Sequence, residues 1–358
     1  MTAPVQSARL HALDQFRGFT VASMFAVNFL ASLAAVHPLL RHHKTWCSVA
    51  DLVMPMFLFA VGFSLRLSFG RHVERHGLAL ARRMAVKRAF ALVLVGLVVH
   101  GIDGEFATYE SLRQFGVEGF FTSFWRRSPF QALVHIGVTT LWILPVIHRG
   151  AGAQVAWAIA ALVAHALALG IGWHEWLLAN AVIDGGALGF LTWTTPAIAG
   201  SLACMRSQAD GSERGRRPLL LAGVVAMLTG YALSCCTNGV VVAAPPFVPP
   251  WHARDMWTMS QQAASASYVV FGAGFSLCLF ALFVHWVDVR GRQWGVCRTL
   301  GTNALAAYVL HGLVEDFVKP YAPDDSPLWW ALLMFVIFFT ITWALVRGLE
   351  KSGTYIRL

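Results

Sequence analysis

Two adjacent histidines lie in a short polar turn between two long apolar runs of the sequence. His42 and His43 belong to the segment Arg41–Trp46, and Asp51 opens the second run. An imidazole can act as a general base, as a nucleophile that carries an acyl group, or as a metal ligand. A nearby carboxylate can orient the ring and stabilise its cation. We therefore interpret the turn as a candidate catalytic site, with helix capping by Asp51 as the alternative.

Further polar side chains lie within the apolar runs. Asn28 lies midway along the first run, where an amide must find a partner, and it is predicted either to join helices or to meet substrate. His311 and Glu315 are four residues apart and share one face of a predicted helix. Such groups serve proton relays in transporters, and hydrogen-bonded core histidines are the alternative. No Cys/His metal spacing is present, so we predict no metal site.

The composition is that of an integral membrane protein. Of 358 residues, 57% are hydrophobic and 13% are charged, and the mean hydropathy is +0.60. These values predict a single all-α, polytopic membrane domain over residues 1–358. About ten spans are predicted, at roughly residues 18–40, 49–70, 88–106, 130–148, 151–171, 185–205, 218–237, 264–287, 299–318 and 328–347.

The distribution of Lys and Arg predicts the orientation of these spans. Only seven of the 27 basic residues lie in the loops of one side, so the other side, with both termini, is predicted to be cytoplasmic. The turn with His42 and His43 then faces outward. The first apolar run is too long for a cleavable signal peptide, and we expect it to remain. The net charge of +9 is spread over helix ends, which argues against a nucleic-acid partner.

Two outer segments and one basic cluster complete the pattern. The segment at about 107–129 mixes aromatic and charged residues and is predicted to be an interfacial helix or re-entrant cover. The segment at about 238–263 contains four prolines and is either a lid over an outward cavity or a structural loop. The basic cluster consists of Arg82, Arg83, Lys87 and Arg88.

This cluster is predicted either to bind the phosphates of coenzyme A, which suit arginine side chains, or to anchor the helix at the membrane surface.

A series of short motifs follows along the chain in a recognisable order. The motifs are Leu13–Gly18, Val27–Asn28, His43–Trp46, Ala50–Gly62, Arg82–Arg83, Asp184–Ala197, Trp257–Gln261 and Gly301–Tyr308. In order and spacing this series resembles the heparan-α-glucosaminide N-acetyltransferase family and its bacterial relatives. The resemblance covers nearly the whole chain.

The resemblance implies an enzyme of the bacterial cytoplasmic (inner) membrane. It would transfer an acetyl group from cytoplasmic acetyl-CoA to the amino group of a glucosamine-type sugar, or an envelope glycan, on the outer side. Catalytic roles are implied for His43 and Asn28, with Asp51 beside them. The predicted donor-binding residues are Arg82, Arg83 and Asn303, and the predicted acceptor-binding residues are Trp46, Trp257, Ser260 and Gln261.

Two departures from the family pattern bear on these roles. The turn reaches Asp51 through a shorter gap and without the family's glycine, so a shift of register would make His42 the acting residue instead of His43. Where relatives have a Gln–Arg pair after a proline, this chain has Val134 and His135, which removes a cation that would meet the donor. Both departures leave the identity of the acceptor open.

Several alternatives stay open at the level of sequence. A transporter or flippase of a sugar or small metabolite would also use many helices and intramembrane polar groups. A scaffold subunit of a polysaccharide machine and an O-acyltransferase are further alternatives. Transfer through an acetyl-histidine and direct transfer in a ternary complex use the same residue types. A homodimer is open too, since apolar spans do not separate lipid-facing helix faces from dimer contacts.

Overall fold

The structure is a computed structural model, and it describes residues 11–99, 107–126, 129–180, 182–237 and 242–356. The end of the third predicted span, with Asp103 and Glu105, lies outside the described residues. α-Helices dominate the described part of the chain, which contains no β-strand. The predicted all-α class is therefore confirmed.

The helices alternate with loops of very different length. They are α1 (His11–Leu30), α2 (Val53–His76), α3 (Leu78–Val99), α4 (Tyr109–Arg126), α5 (Ala132–Ile143), α6 (Ala151–Ala168), α7 (His174–Ala179), α8 (Gly189–Ser234), α9 (Ala266–Phe283), α10 (Gly295–Thr302), α11 (Ala304–Val318) and α12 (Leu328–Lys351). Gly211 interrupts α8 with a positive φ of 73°. Short 3₁₀ turns at Pro38–Leu40, Ala50–Leu52 and Gly186–Leu188 lie beside the polar loops.

Six described stretches are long and apolar enough to cross a membrane. They are Ala50–His76, Ala151–Ala179, Gly186–Gly211, Arg214–Ser234, Ala266–Val289 and Leu328–Lys351. Each coincides with one of the predicted spans, and a shorter apolar helix, Ala132–Ile143, coincides with another. The total of ten spans and the cytoplasmic side of the termini stay predictions.

Two predicted spans are interrupted in the structure, and the helix of the third, α3, begins at Leu78 instead of near residue 88. The first helix ends at Leu30 instead of continuing to about residue 40, because the chain turns through i→i+3 hydrogen bonds from Leu33 N to Leu30 O and from Val36 N to Leu33 O, each 3.1 Å. The span predicted at 299–318 is divided at Asn303, whose φ of −129° is not helical. Pro38 in the first run marks a helix end only eight residues beyond Leu30, and Thr302 and Asn303 in the other run are equally compatible with a continuous helix.

The backbone contacts divide the chain into two compact units. The first unit comprises Met1–Val36, Arg206–Leu221 and Cys278–Arg357. In this unit α1 and α10 meet backbone to backbone, since a Cβ added at Gly18 would lie 1.7 Å from the Cys297 carbonyl oxygen. Asp14 and Arg17 form the predicted pair at the start of α1, with 3.8 Å between carboxylate and guanidinium. That the chain is a single functional domain stays a prediction.

The second unit comprises His37–Met205 and Ala222–Leu277. Here α2 packs against the first half of α8 without intervening side chains. A Cβ at Gly62 would lie 1.8 Å from the Ala197 carbonyl oxygen, and a Cβ at Gly200 would lie 1.9 Å from the Phe59 carbonyl oxygen. Small residues permit this close packing in membrane helices. The contact fixes α2, and with it the polar turn that precedes it.

The two predicted outer segments adopt different structures. The described part of the first segment forms a helix, α4, with a non-helical break at Gly116. A helix was one of the two structures predicted for it. That this helix lies at the membrane interface stays a prediction. The described part of the second segment, from residue 242 to α9, consists of turns and irregular backbone. This loop lies against the polar turn, because Phe247 N donates a 3.0 Å hydrogen bond to the Cys47 carbonyl oxygen.

Candidate functional site

The side chain of Asp51 organises the polar turn before α2. It is fully buried, and each of its oxygens accepts a hydrogen bond from the turn. Oδ1 accepts from His42 Nδ1 at 2.7 Å, and Oδ2 accepts from the Ser48 backbone N–H at 2.7 Å. The Asp51 carbonyl oxygen accepts from the hydroxyl of the buried Tyr268 at 2.5 Å. The carboxylate is therefore held in place from the turn and from α9.

The hydrogen bond to Asp51 fixes the tautomer of His42. A carboxylate oxygen can only accept, so Nδ1 carries the proton and Nε2 is the basic nitrogen of the neutral ring. The His42 side chain is 45% exposed, whereas that of Asp51 is 0% exposed. An exposed ring on a buried carboxylate is the arrangement in which a histidine serves as a general base in serine hydrolases. The geometry thus gives His42 the chemical equipment of a base.

His43 has a different environment from its neighbour. Its Nε2 donates to the Pro38 carbonyl oxygen at 2.7 Å, and its ring stacks on Trp46 with 4.1 Å between centroids and 20° between planes. No carboxylate contacts His43 within the described residues. The structure therefore brings Asp51 to His42, whereas the family resemblance points to His43.

The charges around His42 favour its protonated form. Partial burial lowers the pKa of His42, but the hydrogen bond and charge of Asp51 outweigh this effect. The charge of Asp184 and a hydrogen bond with Gln261 act in the same direction, and the pKa lies above its usual value of 6.5. His42 is thus suited to accept a proton near neutral pH.

The loop between α8 and α9 is fastened to this turn by polar contacts. Ser260 Oγ donates to the Lys44 carbonyl oxygen at 2.9 Å. Asp255 shapes the loop by accepting hydrogen bonds from the backbone N–H groups of Trp257 at 2.9 Å and Thr258 at 3.0 Å. Ser260, a predicted acceptor-binding residue, is fully buried. The structure therefore shows Ser260 in a positioning contact, and its contact with an acceptor stays a prediction.

The other predicted acceptor-binding residues lie in the same unit. Trp46 is 8% exposed and covers His43, and Trp257 is half-buried. Gln261 donates from Nε2 to Asp184 Oδ1 at 3.0 Å. A small cavity of about 20 Å³ lies between Trp46, Pro245 and His252. This volume is that of a single water molecule, so the loop here covers the turn closely.

Asp184 is a site residue that the sequence reasoning did not single out as functional. It precedes Gly185 and Gly186 just before α8, and it is 4% exposed. Burial raises the pKa of Asp184 to about 6, although the Gln261 hydrogen bond and the charge of His42 lower it in part. The signal was an acidic residue before a Gly-Gly turn and an apolar helix, which is equally typical of an ordinary helix start. Tyr268 gave no signal, because a tyrosine in an apolar helix resembles a core residue.

Asn28 lies in the first unit, where it pairs with His311. Asn28 Nδ2 donates to His311 Nε2 at 3.3 Å, and His311 Nδ1 donates to the Tyr308 carbonyl oxygen. The ring of His311 also stacks on Phe25, with 5.3 Å between centroids. The predicted partner of the Asn28 amide is thus found on another helix, as expected of an amide that joins helices. A catalytic role for Asn28 stays a prediction.

The predicted donor-binding residues lie in different surroundings. Arg82 and Arg83 are exposed on α3 and form no hydrogen bond or ion pair with a described residue. Asn303 is 1% exposed, and both of its polar atoms bind the chain's C-terminal segment, since Nδ2 donates to Thr354 O at 3.0 Å and Oδ1 accepts from Ile356 N at 3.1 Å. This bonding is the physical reason for the break between α10 and α11. Binding of a donor by Asn303 stays a prediction.

A cavity beside α3 contains the other half of the basic cluster. Its volume is about 450 Å³, and α2 and α3 form its walls. Lys87 and Arg88 line it together with His72, while Arg82 and Arg83 do not. The structure therefore places Lys87 and Arg88, and not the Arg82–Arg83 pair, along this open cavity. Within the described residues no group of three or more His, Cys, Asp or Glu is placed to hold a metal ion.

Comparison with known protein families gives one match. The family described as heparan-alpha-glucosaminide N-acetyltransferase, catalytic, matches residues 9–190, which is half of the chain. The matched region includes His42, Asp51 and Asp184, and it ends before the loop that carries Gln261. A comparison with proteins of curated function gives no match.

Proposed function

The chain belongs to the heparan-alpha-glucosaminide N-acetyltransferase family, and from this premise we propose that it is a transmembrane acetyltransferase that uses His42 as its base. The donor is cytoplasmic acetyl-CoA, and the acceptor is the amino group of a glucosamine-type sugar or envelope glycan on the outer side of the membrane. The observation that carries the proposal is the 2.7 Å hydrogen bond between His42 Nδ1 and Asp51 Oδ1.

The reaction requires removal of a proton from the attacking amine. The amine nitrogen bonds to the acetyl carbonyl carbon while His42 Nε2 takes the amine proton. The carbon–sulfur bond of the thioester then breaks, and the proton on His42 passes to the departing thiolate, which leaves as coenzyme A. Asp51 stabilises the imidazolium that forms in between and keeps Nδ1 protonated throughout.

His42 suits this role better than His43 for a geometric reason. The basic nitrogen of His42 is opposite the ring atom that Asp51 holds, so accepting a proton there strengthens an existing hydrogen bond. His43 instead donates its Nε2 proton in a hydrogen bond to the neutral carbonyl group of Pro38, and its ring stacks on Trp46. We therefore propose that His43 stabilises the conformation of the turn and positions Trp46, which contacts the sugar.

The basic surfaces support binding of the donor at the opposite end of α2 and α3. Lys87 and Arg88 line the cavity beside α3, and Arg82 and Arg83 lie nearby in sequence on the same helix. Cationic side chains beside apolar walls suit a molecule that combines phosphates with a less polar chain, as coenzyme A does. We propose that these four residues hold its phosphates.

The location and assembly of the enzyme follow from the same premise. We propose that the protein lies in the bacterial cytoplasmic (inner) membrane with both termini in the cytoplasm, as the distribution of basic residues predicts. Its acceptor would meet Trp46, Trp257, Ser260 and Gln261 on the outer side. Membrane lipid surrounds the apolar helices, and a homodimer stays a prediction.

The proposal is tested by comparing two adjacent histidine variants. Purified protein in vesicles would receive labelled acetyl-CoA on one side and glucosamine on the other. We expect His42→Ala to lower kcat by about 1,000-fold, within the range of a lost general base, and His43→Ala to retain measurable transfer at a reduced level. The opposite order of the two variants would return the role of base to His43.

The same experiment separates the two chemical routes. In direct transfer, no labelled acetyl group stays on the protein when the reaction is quenched before glucosamine is added. An acetyl group on His42 under these conditions would show a covalent intermediate at the same nitrogen. Transport of glucosamine without formation of N-acetylglucosamine would support a transporter instead.

A further inference from the structure

Asp184 has an unusual position for a buried acidic residue. It lies in the left-handed region of backbone conformation, with φ of 57°, and its carbonyl oxygen accepts a 2.9 Å hydrogen bond from Trp193 Nε1. The next N–H, that of Gly185, donates to the Gln262 carbonyl oxygen at 3.0 Å. The turn is therefore held on one side by Trp193 of α8 and on the other by the loop between α8 and α9.

The carboxylate of Asp184 is only partly satisfied. Oδ1 accepts from Gln261 Nε2 at 3.0 Å, and Oδ2 has no partner within the described part of the chain. No Lys or Arg forms an ion pair with Asp184 among the described residues. Among the described residues, the cationic group that acts on it is the imidazole of His42, when that ring is protonated.

Three segments of the second unit meet at this point. Ser260 fastens the loop to Lys44 of the polar turn, and the adjacent Gln261 bonds to Asp184. The Gln261 side chain also lies close enough to His42 to raise the pKa of its ring. Asp51, His42, Gln261 and Asp184 therefore form a series of neighbouring polar groups.

The charges in this series do not balance. Asp51 and Asp184 are both carboxylates, and His42 supplies at most one positive charge. Asp51 already holds that charge through a direct hydrogen bond. A net negative charge therefore remains on the Asp184 side whenever both carboxylates are ionised, and a buried charge without a partner is costly. A cation from outside the protein would remove this cost.

We propose that Asp184 binds the protonated amino group of the acceptor sugar and holds it beside His42. The inference rests on the proposed function and names the group that recognises its amine substrate. The ammonium donates one N–H to Asp184 Oδ2 and gives up another proton to His42 Nε2. His42 releases this first proton to water and is neutral again before the amine, still hydrogen-bonded to Asp184, attacks the acetyl carbonyl carbon. His42 Nε2 then takes the second proton from the nitrogen and passes it to the departing thiolate. Asp184 stays ionised throughout and removes no proton.

Asp184→Asn tests this proposal with little change in shape. Asparagine tolerates the left-handed backbone at residue 184. Its side-chain oxygen can still accept from Gln261, so the variant removes the charge and leaves the neighbouring contacts. Glu175→Gln is the matched control, because Glu175 is an exposed carboxylate of the same unit on α7. Each variant removes one negative charge.

Kinetics and direct binding would be measured for the full-length protein in detergent. We expect Asp184→Asn to raise the KM for glucosamine by about 10- to 100-fold, as for loss of one hydrogen bond to a charged group, with little change in the KM for acetyl-CoA. Calorimetry would compare glucosamine with the uncharged N-acetylglucosamine. The wild type and Glu175→Gln should prefer glucosamine, and Asp184→Asn should lose this preference.

The outcomes separate this inference from the proposed function. If the wild type transfers acetyl groups and Asp184→Asn keeps the wild-type KM for glucosamine, the inference is overturned and the function stands. If the wild type transfers none but shows an Asp184-dependent preference for glucosamine, the function fails and the binding site stands. If the variant does not fold, the wild type alone decides, because equal binding of the two sugars would overturn the inference.

Discussion

Two imidazoles of this protein, His42 and His311, show how different neighbours suit one side chain to different tasks. His42 lies in the polar turn and donates to the buried carboxylate of Asp51 at 2.7 Å. His311 lies in α11, where it accepts from the neutral amide of Asn28 at 3.3 Å and donates to a backbone carbonyl. Both rings have one fixed tautomer and both pair with a polar side chain.

The difference between them lies in charge and exposure. His42 gains a stabilised cation from Asp51 and remains 45% exposed, so it can exchange a proton with a bound molecule. His311 is 5% exposed and stacks on Phe25, so its ring is enclosed by the helices. A polar pair buried between apolar helices stabilises their packing, whereas a pair in an exposed turn at a helix end can exchange protons with a bound molecule. The comparison predicts that disruption of the two pairs has unequal effects.

The largest effect is expected from removal of the Asp51 charge. Asp51→Asn keeps the side-chain shape but no longer stabilises the His42 cation, and we expect kcat to fall by about 100- to 10,000-fold. Steady-state assays with glucosamine would measure the loss. Asp325→Asn, at an exposed position of the loop before α12, is the control and should keep wild-type kcat. An Asp51→Asn enzyme with kcat near the wild type would end the assignment of His42 as a base supported by a carboxylate.

A smaller effect is expected at the other imidazole. His311→Gln retains a side-chain oxygen that can accept from Asn28 but loses the stacking on Phe25. We expect the free energy of unfolding to fall by about 1 to 3 kcal/mol, measured as a lower Tm in detergent. We expect kcat to stay within about 10-fold of the wild type. A loss of kcat as large as that of Asp51→Asn would break the comparison and support a catalytic role for the Asn28–His311 pair.

The smallest effect concerns stability and pH. Because the folded state raises the pKa of His42 above 6.5, the protonated ring contributes stability that is fully present below that value and is lost as pH rises through the raised pKa. The groups that act on the ring are Asp51, Asp184 and Gln261. The Tm of the wild type should exceed that of His42→Gln by about a few degrees at acidic pH, and the difference should shrink toward pH 8. A difference independent of pH would contradict the pairing with Asp51.

Much of the architecture was predictable because apolar composition over about 20 residues is a local property. Six predicted spans coincide with stretches long and apolar enough to cross a membrane, and the Asp14–Arg17 pair follows from helical spacing. The end of α1 at Leu30 and the break at Asn303 were not predictable. The break depends on hydrogen bonds from Asn303 to Thr354 and Ile356, which are distant in sequence.

The candidate site divides in the same way. The membrane class, the family and the set of residues in the turn follow from the sequence, because composition and motif order are properties of the chain alone. That His42, and not His43, meets Asp51 depends on the folded arrangement. Over residues 41–49 the backbone has no helical or strand period that would direct two adjacent side chains. Their directions are set by hydrogen bonds to Asp51 and Pro38, and Asp184 joins them through folding across 77 residues to Gln261.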